Sequence, residues 1–453
     1  MKRFKEYEPH QSYLLPLSPR EWLPEDHLAH FIDTVVGQFD LSEIFASYKG
    51  RKGQPPYHPG MMVKVWLYGY CVGIRSSRRL ERALHEDVGF RVLSGNQQPD
   101  HWTLSEFRRR HLAALGGLFL QTVRLAQRAK LVKLGQVAID GTKVKANASR
   151  HKAMSYGRMK KEEKRLREEI DRYFEEVETT DQAENEQYGM ARGDELPDHL
   201  KTDEQRLKAI RSAMAELEQE AREKMAAEQN ERRDKANKED RTYRPRKDAN
   251  AAKPESKAQR NFTDRESRIM KNAEKAFIQG YNAQAAVDVE SQIIVASQLT
   301  NQAADGPHLL GMVEQVKEVT GCSPREVLAD TGYFSEDNVS TLRKRKISVL
   351  IPPERVSHQE WREQPPAVMS PPPEDATVSE WMRSWLRIPE NRERYRKRSQ
   401  SVEPVFGQIK EARGLRQFLM RGLTKVNALW QLDCAAHNIL KLYRSGALRN
   451  PAG

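Results

Sequence analysis

Residues 156–260 are made almost entirely of charged and polar side chains, and they interrupt two regions whose apolar patterns are those of β-strands. Before them, Val-Ala-Ile at 137–139 forms a short apolar run; after them, apolar and small residues alternate with polar ones over 281–289. A segment this polar cannot bury enough apolar surface to form a core. The core must therefore be built from the sequence on either side, which predicts a sheet domain split by an insertion.

The insertion contains two apolar seams with heptad-like spacing, each too short to form a stable solitary helix. The seam residues are Leu166, Ile170, Tyr173 and Val177, followed by Leu207, Ile210, Met214, Leu217 and Ala221. With a polar loop at 178–202 between them, they predict an antiparallel helical hairpin. Residues 230–261 are basic and nearly devoid of apolar side chains, and predict a flexible linker.

Outside the insertion, strand and helix patterns alternate. Strands are predicted at 136–146, 281–289, 293–296, 326–330 and 347–351, and helices at 307–319, 335–344, 376–386, 390–411 and 424–443. A Pro-rich linker at 365–373 separates the last strand from the last three helices. This order predicts a mixed α/β domain of the RNase H-like type, a mixed sheet flanked by helices.

Residues 1–130 predict a helical domain. A mostly apolar helix at 61–74 follows the stop signal His-Pro-Gly at 58–60, and Ser76 or Ser77 can cap the next helix. After a turn at Gly-Asn 95–96, Thr103 is the expected cap of a further helix, with Glu106 completing a capping box. Arginines at the helix ends suit a DNA-binding module, although an ordinary bundle with solvated arginines fits the pattern equally well.

Charge and cysteine content narrow the class of protein. A net charge of +12 and a pI near 9.4 fit a polyanionic partner. The three cysteines are widely spaced, which implies neither a disulfide framework nor a zinc site and indicates a reducing compartment. No signal peptide is predicted, because no apolar segment follows the basic residues 1–5, and no apolar run is long enough to cross a bilayer.

Three carboxylates stand in distinctive contexts. Asp140 follows the apolar run at 137–139, Asp330 follows Val-Leu-Ala at 327–329, and Glu403 lies on a late basic helix among Val402, Val405, Phe406 and Ile409. Two acids where buried strands emerge and a third on a helix can converge to hold two divalent metal ions against a phosphodiester. The alternatives are a turn or helix-cap role for each aspartate and a surface position for the glutamate.

These contexts resemble the DDE transposases of bacterial insertion sequences. The motifs that carry the resemblance are Asp-Gly-Thr at 140–142, Asp-Thr-Gly-Tyr at 330–333, Glu-Pro-Val-Phe-Gly at 403–407, Tyr-Asn-Ala-Gln-Ala at 281–285 and Thr-Asn-Gln-Ala at 300–303. Residues 57–111 resemble the amino-terminal helical domain of the same group, notably at 76–81 and 99–101. The likeness covers nearly the whole chain outside the insertion.

The resemblance implies that Asp140, Asp330 and Glu403 are the catalytic triad and bind two Mg²⁺ ions, or Mn²⁺ in their place. It also implies that Tyr395, Arg398 and Lys410 contact DNA, as part of a tyrosine–arginine–glutamate–lysine signature. One departure is that four residues separate Arg398 from Glu403 where the family has three.

The expected function is therefore DNA transposition: metal-dependent cleavage at the inverted repeats of an insertion sequence, followed by strand transfer into target DNA. We expect double-stranded DNA as partner, a homodimer on DNA, no membrane association, and action in the bacterial cytoplasm at the nucleoid. The expected domains are 1–130 for DNA binding, 131–155 with 262–445 for catalysis, and 156–261 as the insertion. The alternatives are an RNase H-like nuclease without strand transfer and an inactive copy that only binds DNA.

Overall fold

A computed structural model describes residues 18–48, 55–188, 198–238, 240–245, 248–355 and 376–448. The chain forms two compact units, the first comprising Met1–Val144 and Asn282–Gly453 and the second comprising Lys145–Tyr281. No helix within the described ranges combines the length and the apolar character needed to cross a bilayer. The Pro-rich linker predicted at 365–373 lies outside the described residues.

The first unit begins with short helices, as the sequence predicts. They are α1 (Leu28–Val36), α2 (Ser42–Ala46), α3 (Pro59–Cys71), α4 (Ser77–Glu86), α5 (Val88–Ser94), α6 (His101–Arg110) and α7 (Leu112–Arg128). Helix α3 is buried along almost its whole length, because its side chains are apolar on every face.

Two details of the predicted helix boundaries are wrong. Pro59 does not end a segment; it opens α3, where its missing N–H costs no hydrogen bond and its fixed φ suits the first turn. Helix α6 is capped by Asp100, whose Oδ1 accepts a 2.7 Å bond from the backbone N–H of Thr103. Thr103 therefore lies inside the helix, and the predicted capping box with Glu106 does not form.

The second unit contains the predicted hairpin, with longer helices than expected. After β1 (Gln136–Lys145), its elements are β2 (Ala153–Ser155), α8 (Tyr156–Tyr188), α9 (Asp198–Lys238), β3 (Gln259–Asn261) and β4 (Arg268–Lys271). The seams pack against each other, with Leu166, Leu207, Ile210, Met214 and Leu217 in one buried cluster and Ile170 at its edge. The side chains of Tyr173 and Val177 lie outside the described part of the chain.

The linker predicted at 230–261 is wrong in part. Helix α9 continues to Lys238, a 3₁₀ turn occupies Ala249–Ala251, and β3 pairs antiparallel with β2. The segment is anchored by Arg260, which is 3% exposed and bonds Glu220 of α9 at 3.0 Å. Composition missed this because a buried arginine with a carboxylate partner carries no apolar signature.

The mixed sheet of the first unit confirms the predicted fold class. Its remaining elements are β5 (Phe277–Asp288), β6 (Ile294–Thr300), α10 (Leu309–Thr320), β7 (Glu326–Ala329), α11 (Glu336–Lys344), β8 (Ser348–Leu350), α12 (Val378–Arg387), α13 (Pro389–Gly407) and α14 (Leu423–Ser445). The strand order is β4-β5-β1-β7-β8, and β6 also pairs with β5. Strands β1, β7 and β8 are parallel, whereas β6 is antiparallel to β5. A helical amino-terminal region beside such a sheet is consistent with an RNase H-like core.

Helix α14 covers the open edge of β6. Asn438 accepts from the N–H of Ile294 and donates to its carbonyl, both at 2.9 Å, and Asn427 accepts from the N–H of Leu299 at 2.9 Å. The helix thus satisfies ladder groups that would otherwise be exposed. This arrangement fixes the sheet that carries the candidate site.

Candidate active site

Asp140 and Asp330 lie next to each other on neighbouring parallel strands. The register pairs Ile139 with Ala329, and each aspartate is the next residue along its strand. Strand β7 ends at Ala329, but β1 continues to Lys145, so Asp140 lies within a strand rather than at its end as the sequence suggested. The two residues therefore lie side by side where the parallel pairing stops, close enough for the charge of Asp330 to raise the pKa of Asp140.

Each aspartate also makes a local backbone bond. Asp140 Oδ1 accepts from the N–H of Gly141 at 2.7 Å, and Asp330 Oδ1 accepts from the N–H of Gly332 at 2.9 Å, which caps the 3₁₀ turn Thr331–Tyr333. The turn-capping alternative for Asp330 is therefore correct as local structure. It does not compete with a role in the site, because a carboxylate has further lone pairs to offer.

Glu403 is positioned by an irregular helix. Val402 and Val405 are buried beside it, whereas the Glu403 side chain is 55% exposed. Pro404 has no N–H to donate to the carbonyl of Gln400, and the side chain of Gln292 donates to that carbonyl instead, at 3.0 Å. The helix then widens into a π-helical turn, Gln408–Ala412, of the kind that is frequent at functional sites.

Arg398 joins the carboxylates of β1 and α13. Its Nη1 donates to Asp140 Oδ2 at 3.0 Å and its Nη2 donates to Glu403 Oε1 at 3.1 Å. The arginine is 15% exposed and Asp140 is 18% exposed, so this is a largely buried pair. The extra residue between Arg398 and Glu403 does not remove the arginine from the site.

Lys410 and Tyr395 also lie at this end of the sheet. Lys410, on the π-helical turn, donates from Nζ to Thr142 Oγ1 at 3.1 Å. Tyr395 is hydrogen-bonded to Arg398. Burial raises the pKa of the Tyr395 hydroxyl, against the opposing effect of Arg398. Arg398 thus links Tyr395, Asp140 and Glu403, and Lys410 contacts Thr142, two residues after Asp140.

The electrostatics of the pair favour a cation. Burial raises the pKa of Asp140 to about 7; Arg398 acts in the opposite direction, and the negative charge of Asp330 adds to the rise. Burial also raises the pKa of Asp330, again opposed by Arg398 and reinforced by Asp305. Burial alone would lower the pKa of Arg398, but the surrounding acids, Asp140 first among them, raise it. Two ionised carboxylates so close together require a positive partner.

The donor chemistry at Asp140 and Asp330 fits Mg²⁺, which prefers hard carboxylate oxygens. Within the described ranges, no three side chains among histidine, cysteine, aspartate and glutamate are close enough to hold one ion together. The guanidinium of Arg398 lies between the carboxylates of Glu403 and Asp140 and bonds to both. The two carboxylates fit a divalent cation. In this structure the guanidinium of Arg398 supplies the neighbouring positive charge.

A fourth carboxylate, Asp305, was missed by the sequence reasoning. It accepts from Lys143 Nζ, Asn282 Nδ2 and Gln284 Nε2. The motifs at 281–285 and 300–303 pointed to this part of the chain, but no pattern indicated that Asp305 is where their side chains converge.

Comparison with known families decides the identity. The family described as Transposase DDE domain matches residues 250–439, and the family described as Transposase domain (DUF772) matches residues 17–110. The chain thus carries a transposase DDE domain and a second transposase domain, which is consistent with a DDE transposase of an insertion sequence.

The two matched regions of this transposase leave residues 111–249 between them unmatched. Residues 250–439 include Asp330, Glu403 and the residues between them, whereas Asp140 lies between the two matched regions. Its place in the site rests on the parallel register of β1 and β7. Neither a curated protein nor a solved structure matches this transposase.

Proposed function

We propose that this chain catalyses metal-dependent DNA cleavage and strand transfer at the ends of an insertion sequence. The observation that carries the proposal is the side-by-side placement of Asp140 and Asp330, with Glu403 joined to Asp140 through Arg398. Three acids that share a single arginine keep an excess of negative charge, which suits a reaction in which divalent cations and a phosphate enter together.

Asp140, Asp330 and Glu403 are the residues that would hold two Mg²⁺ ions, with Mn²⁺ as a substitute. When bound, the ions supply activation of the attacking water or 3′-hydroxyl and stabilisation of the leaving oxygen. The aspartates would fix the position of the scissile phosphate, because Asp140 lies on β1 and Asp330 directly follows β7, the strand paired with β1. Glu403 completes the set from α13 once Arg398 turns to the DNA.

DNA is the proposed partner throughout. Arg398 and Lys410 would neutralise backbone phosphates near the cut, and Tyr395 would hydrogen-bond or stack beside them. In this assignment residues 1–130 recognise the element's inverted repeats, residues 131–155 with 262–445 carry out catalysis, and residues 156–261 form the insertion. The net charge of +12 supports a non-specific grip on target DNA. The reaction would take place on nucleoid DNA in the bacterial cytoplasm.

A homodimer on DNA would pair the two element ends, and the hairpin α8–α9 is the proposed contact. Its apolar seams are buried within the hairpin, so the contact would use the charged outer faces. Deleting residues 160–225 should abolish end pairing while leaving single-end binding, as measured by gel shift with one and two labelled ends. Unchanged synapsis by the deleted protein would contradict this role.

The decisive experiment tests the three acids one at a time. Asp140→Ala, Asp330→Ala and Glu403→Ala should each reduce cleavage of an end-containing DNA by more than about a hundredfold, the upper range for loss of groups around a metal, and leave DNA binding intact. Asp40→Ala, on the surface next to α2, is the matched control and should cleave normally.

The same assay separates the alternatives. Cleaved DNA without joined products would indicate a nuclease that lacks strand transfer. Binding without cleavage by the unaltered protein, in Mg²⁺ or Mn²⁺, would indicate a DNA-binding copy that has lost its activity. Retained cleavage in any single variant would remove that residue from the site.

A further inference from the structure

The carboxylate of Asp305 is the acceptor for three side chains from two strands. Lys143 of β1 donates from Nζ at 2.9 and 3.2 Å to its two oxygens. Asn282 and Gln284 of β5 donate their amide groups to Oδ1 at 2.7 and 2.8 Å. Both amides are fully buried, and Lys143 and Asp305 are 14% and 21% exposed. Such convergence on one carboxylate is costly to leave incomplete.

The backbone beside Asp140 leaves room for this network. Backbone bonds from Ala146 to Gln279 and from Val289 to Gln136 set β1 and β5 antiparallel, with Gly141 opposite Gln284. A Cβ on Gly141 would lie 2.3 Å from Gln284 Nε2 and 2.7 Å from Asp305 Oδ1. The network around Asp305 therefore requires glycine at 141, and it packs directly against the residue next to Asp140.

The network also reaches the turn that follows Asp330. Gln284, held by Asp305 through its Nε2, accepts at Oε1 from the hydroxyl of Tyr333, which is fully buried. Gly332 has Asp305 as a close neighbour, 3.6 Å from an ideal Cβ position. Asp305 is thus linked by one intermediate side chain to the turn that holds Asp330, and by close packing to the strand that holds Asp140.

We propose that Asp305 is a positioning residue of the active site, which fixes the β1 segment at Asp140 against the turn at Asp330 and keeps the Lys143 ammonium away from both. The part that concerns the active site rests on the function proposed above. Asp305 does not touch the reacting atoms in this scheme; it acts through Lys143, Gln284 and Tyr333.

The charge balance makes the role specific. With Asp305 present, the Lys143 ammonium is neutralised by a carboxylate that belongs to the network. In Asp305→Asn the amide oxygen has only two lone pairs for the three side-chain donors. The NH₂ group that replaces the other oxygen would face the Lys143 ammonium, so that two donors would oppose each other. The Lys143 ammonium already lowers the pKa of Asp330. Without Asp305 it would turn towards Asp330 and occupy the place of an incoming cation.

The first measurement is hydrogen exchange of the full-length protein without DNA, read on peptides covering 136–145 and 326–335. Asp305→Asn should accelerate exchange in both peptides by about tenfold, the effect of losing about 1.4 kcal/mol of local stability. The matched control is Asp288→Asn, which removes a buried carboxylate that bonds the N–H groups of Leu134 and Ser291 at the opposite end of β5. The control should speed exchange near 134 and 291 but not at 326–335.

The second measurement is Mn²⁺ binding to the same DNA-free proteins, followed by the electron paramagnetic resonance signal of free Mn²⁺. Asp305→Asn should weaken binding by about 10- to 100-fold, as is typical when a group that orients metal ligands is lost. Because the freed ammonium is the proposed competitor, Asp305→Asn with Lys143→Met should bind Mn²⁺ more tightly than Asp305→Asn alone. Asp288→Asn should bind as the unaltered protein does.

The two measurements separate this proposal from the proposed function. Unchanged exchange in Asp305→Asn, or equal acceleration in Asp288→Asn, would overturn the positioning role whatever the protein cleaves. Unchanged Mn²⁺ affinity in Asp305→Asn, or no recovery in the double variant, would overturn the part that concerns Lys143. If the unaltered protein binds no Mn²⁺, or if Asp140→Asn does not abolish that binding, the metal-dependent function is contradicted. The exchange result still decides the positioning role.

Discussion

Arginine–carboxylate pairs occur in both compact units, but they differ in distance along the chain and in burial. In the hairpin, Arg165 pairs with Glu162 and Glu169, one helical turn away, and the arginine is 48% exposed. In the first unit, Arg75 pairs with Asp433 across most of the sequence, with side chains only 9% and 1% exposed. Exposed pairs of the first kind contribute about 0–1 kcal/mol. Buried pairs of the second kind determine where elements from distant parts of the chain lie.

The largest expected effect follows from removing the buried arginine. Arg75→Gln leaves the carboxylate of Asp433 buried without its main partner and also removes the bond to the carbonyl of Arg413. The free energy of unfolding should fall by about 3–5 kcal/mol, measured by urea denaturation.

The matched variant lies in the hairpin. Arg211 pairs with Glu163 of the other helix at 2.9 Å and is 50% exposed. Arg211→Gln should cost less than about 1 kcal/mol. Similar losses in the two variants would show that burial does not separate the two classes of pair.

The contrast also explains what the sequence could predict. The hairpin follows from local periodicity, so Leu166, Leu207 and Ile210 were found as a packed seam. The order of strands and helices along the chain followed from the apolar patterns, and the expectation that Asp140 and Asp330 lie on neighbouring strand ends followed from apolar runs that end in an acid. Both signals are local in sequence, and the structure confirms the elements that they define.

What the sequence could not predict depends on partners far apart in the chain. Asp305 is unremarkable until Lys143 and Gln284 are brought to it by two different strands. Arg260 was assigned to a linker because nothing nearby indicates that it becomes buried against α9. The predicted cap of α6 was wrong for a related reason. Asp100 and Thr103 are both good cap residues, and only the structure shows which one precedes the helix.

Another test of the comparison uses a buried titratable group whose neighbours are a backbone carbonyl and an arginine. His437 is fully buried, with Nε2 2.9 Å from the carbonyl of Gln292 and Nδ1 3.5 Å from Arg413. Burial, together with Arg413, lowers the pKa of His437 to about 3, well below the value of about 6.5 for an unfolded chain. The unfolded state therefore binds the proton first as the pH falls.

The stability that a neutral His437 supplies is fully present above about pH 6.5 and is lost towards pH 3, by up to about 1.4 kcal/mol per pH unit. His437→Gln keeps an N–H donor but cannot titrate, so its unfolding free energy should fall less steeply between pH 6.5 and 4. His85→Gln, on the exposed face of α4, is the control and should follow the unaltered protein. Parallel pH profiles for all three would contradict the assignment.

The last prediction concerns DNA binding by Lys410. If its ammonium contacts a backbone phosphate, Lys410→Ala should weaken DNA binding by about tenfold and reduce the salt dependence of log K by about one. Lys208→Ala, on the exposed side of α9, should change neither quantity. An unchanged salt slope in Lys410→Ala would contradict the phosphate contact and leave the lysine with a structural role, including its bond to Thr142.

The pairing of β1 with β5 has a consequence for how this architecture can diversify. The chain leaves the first unit after Val144 and re-enters it at Asn282, and these two points face each other on adjacent strands. Any segment inserted between these two points therefore begins and ends on hydrogen-bonded neighbouring strands, as the turn of a β-hairpin does. A short turn in place of residues 145–281 would therefore still join β1 to β5, a few residues after Asp140.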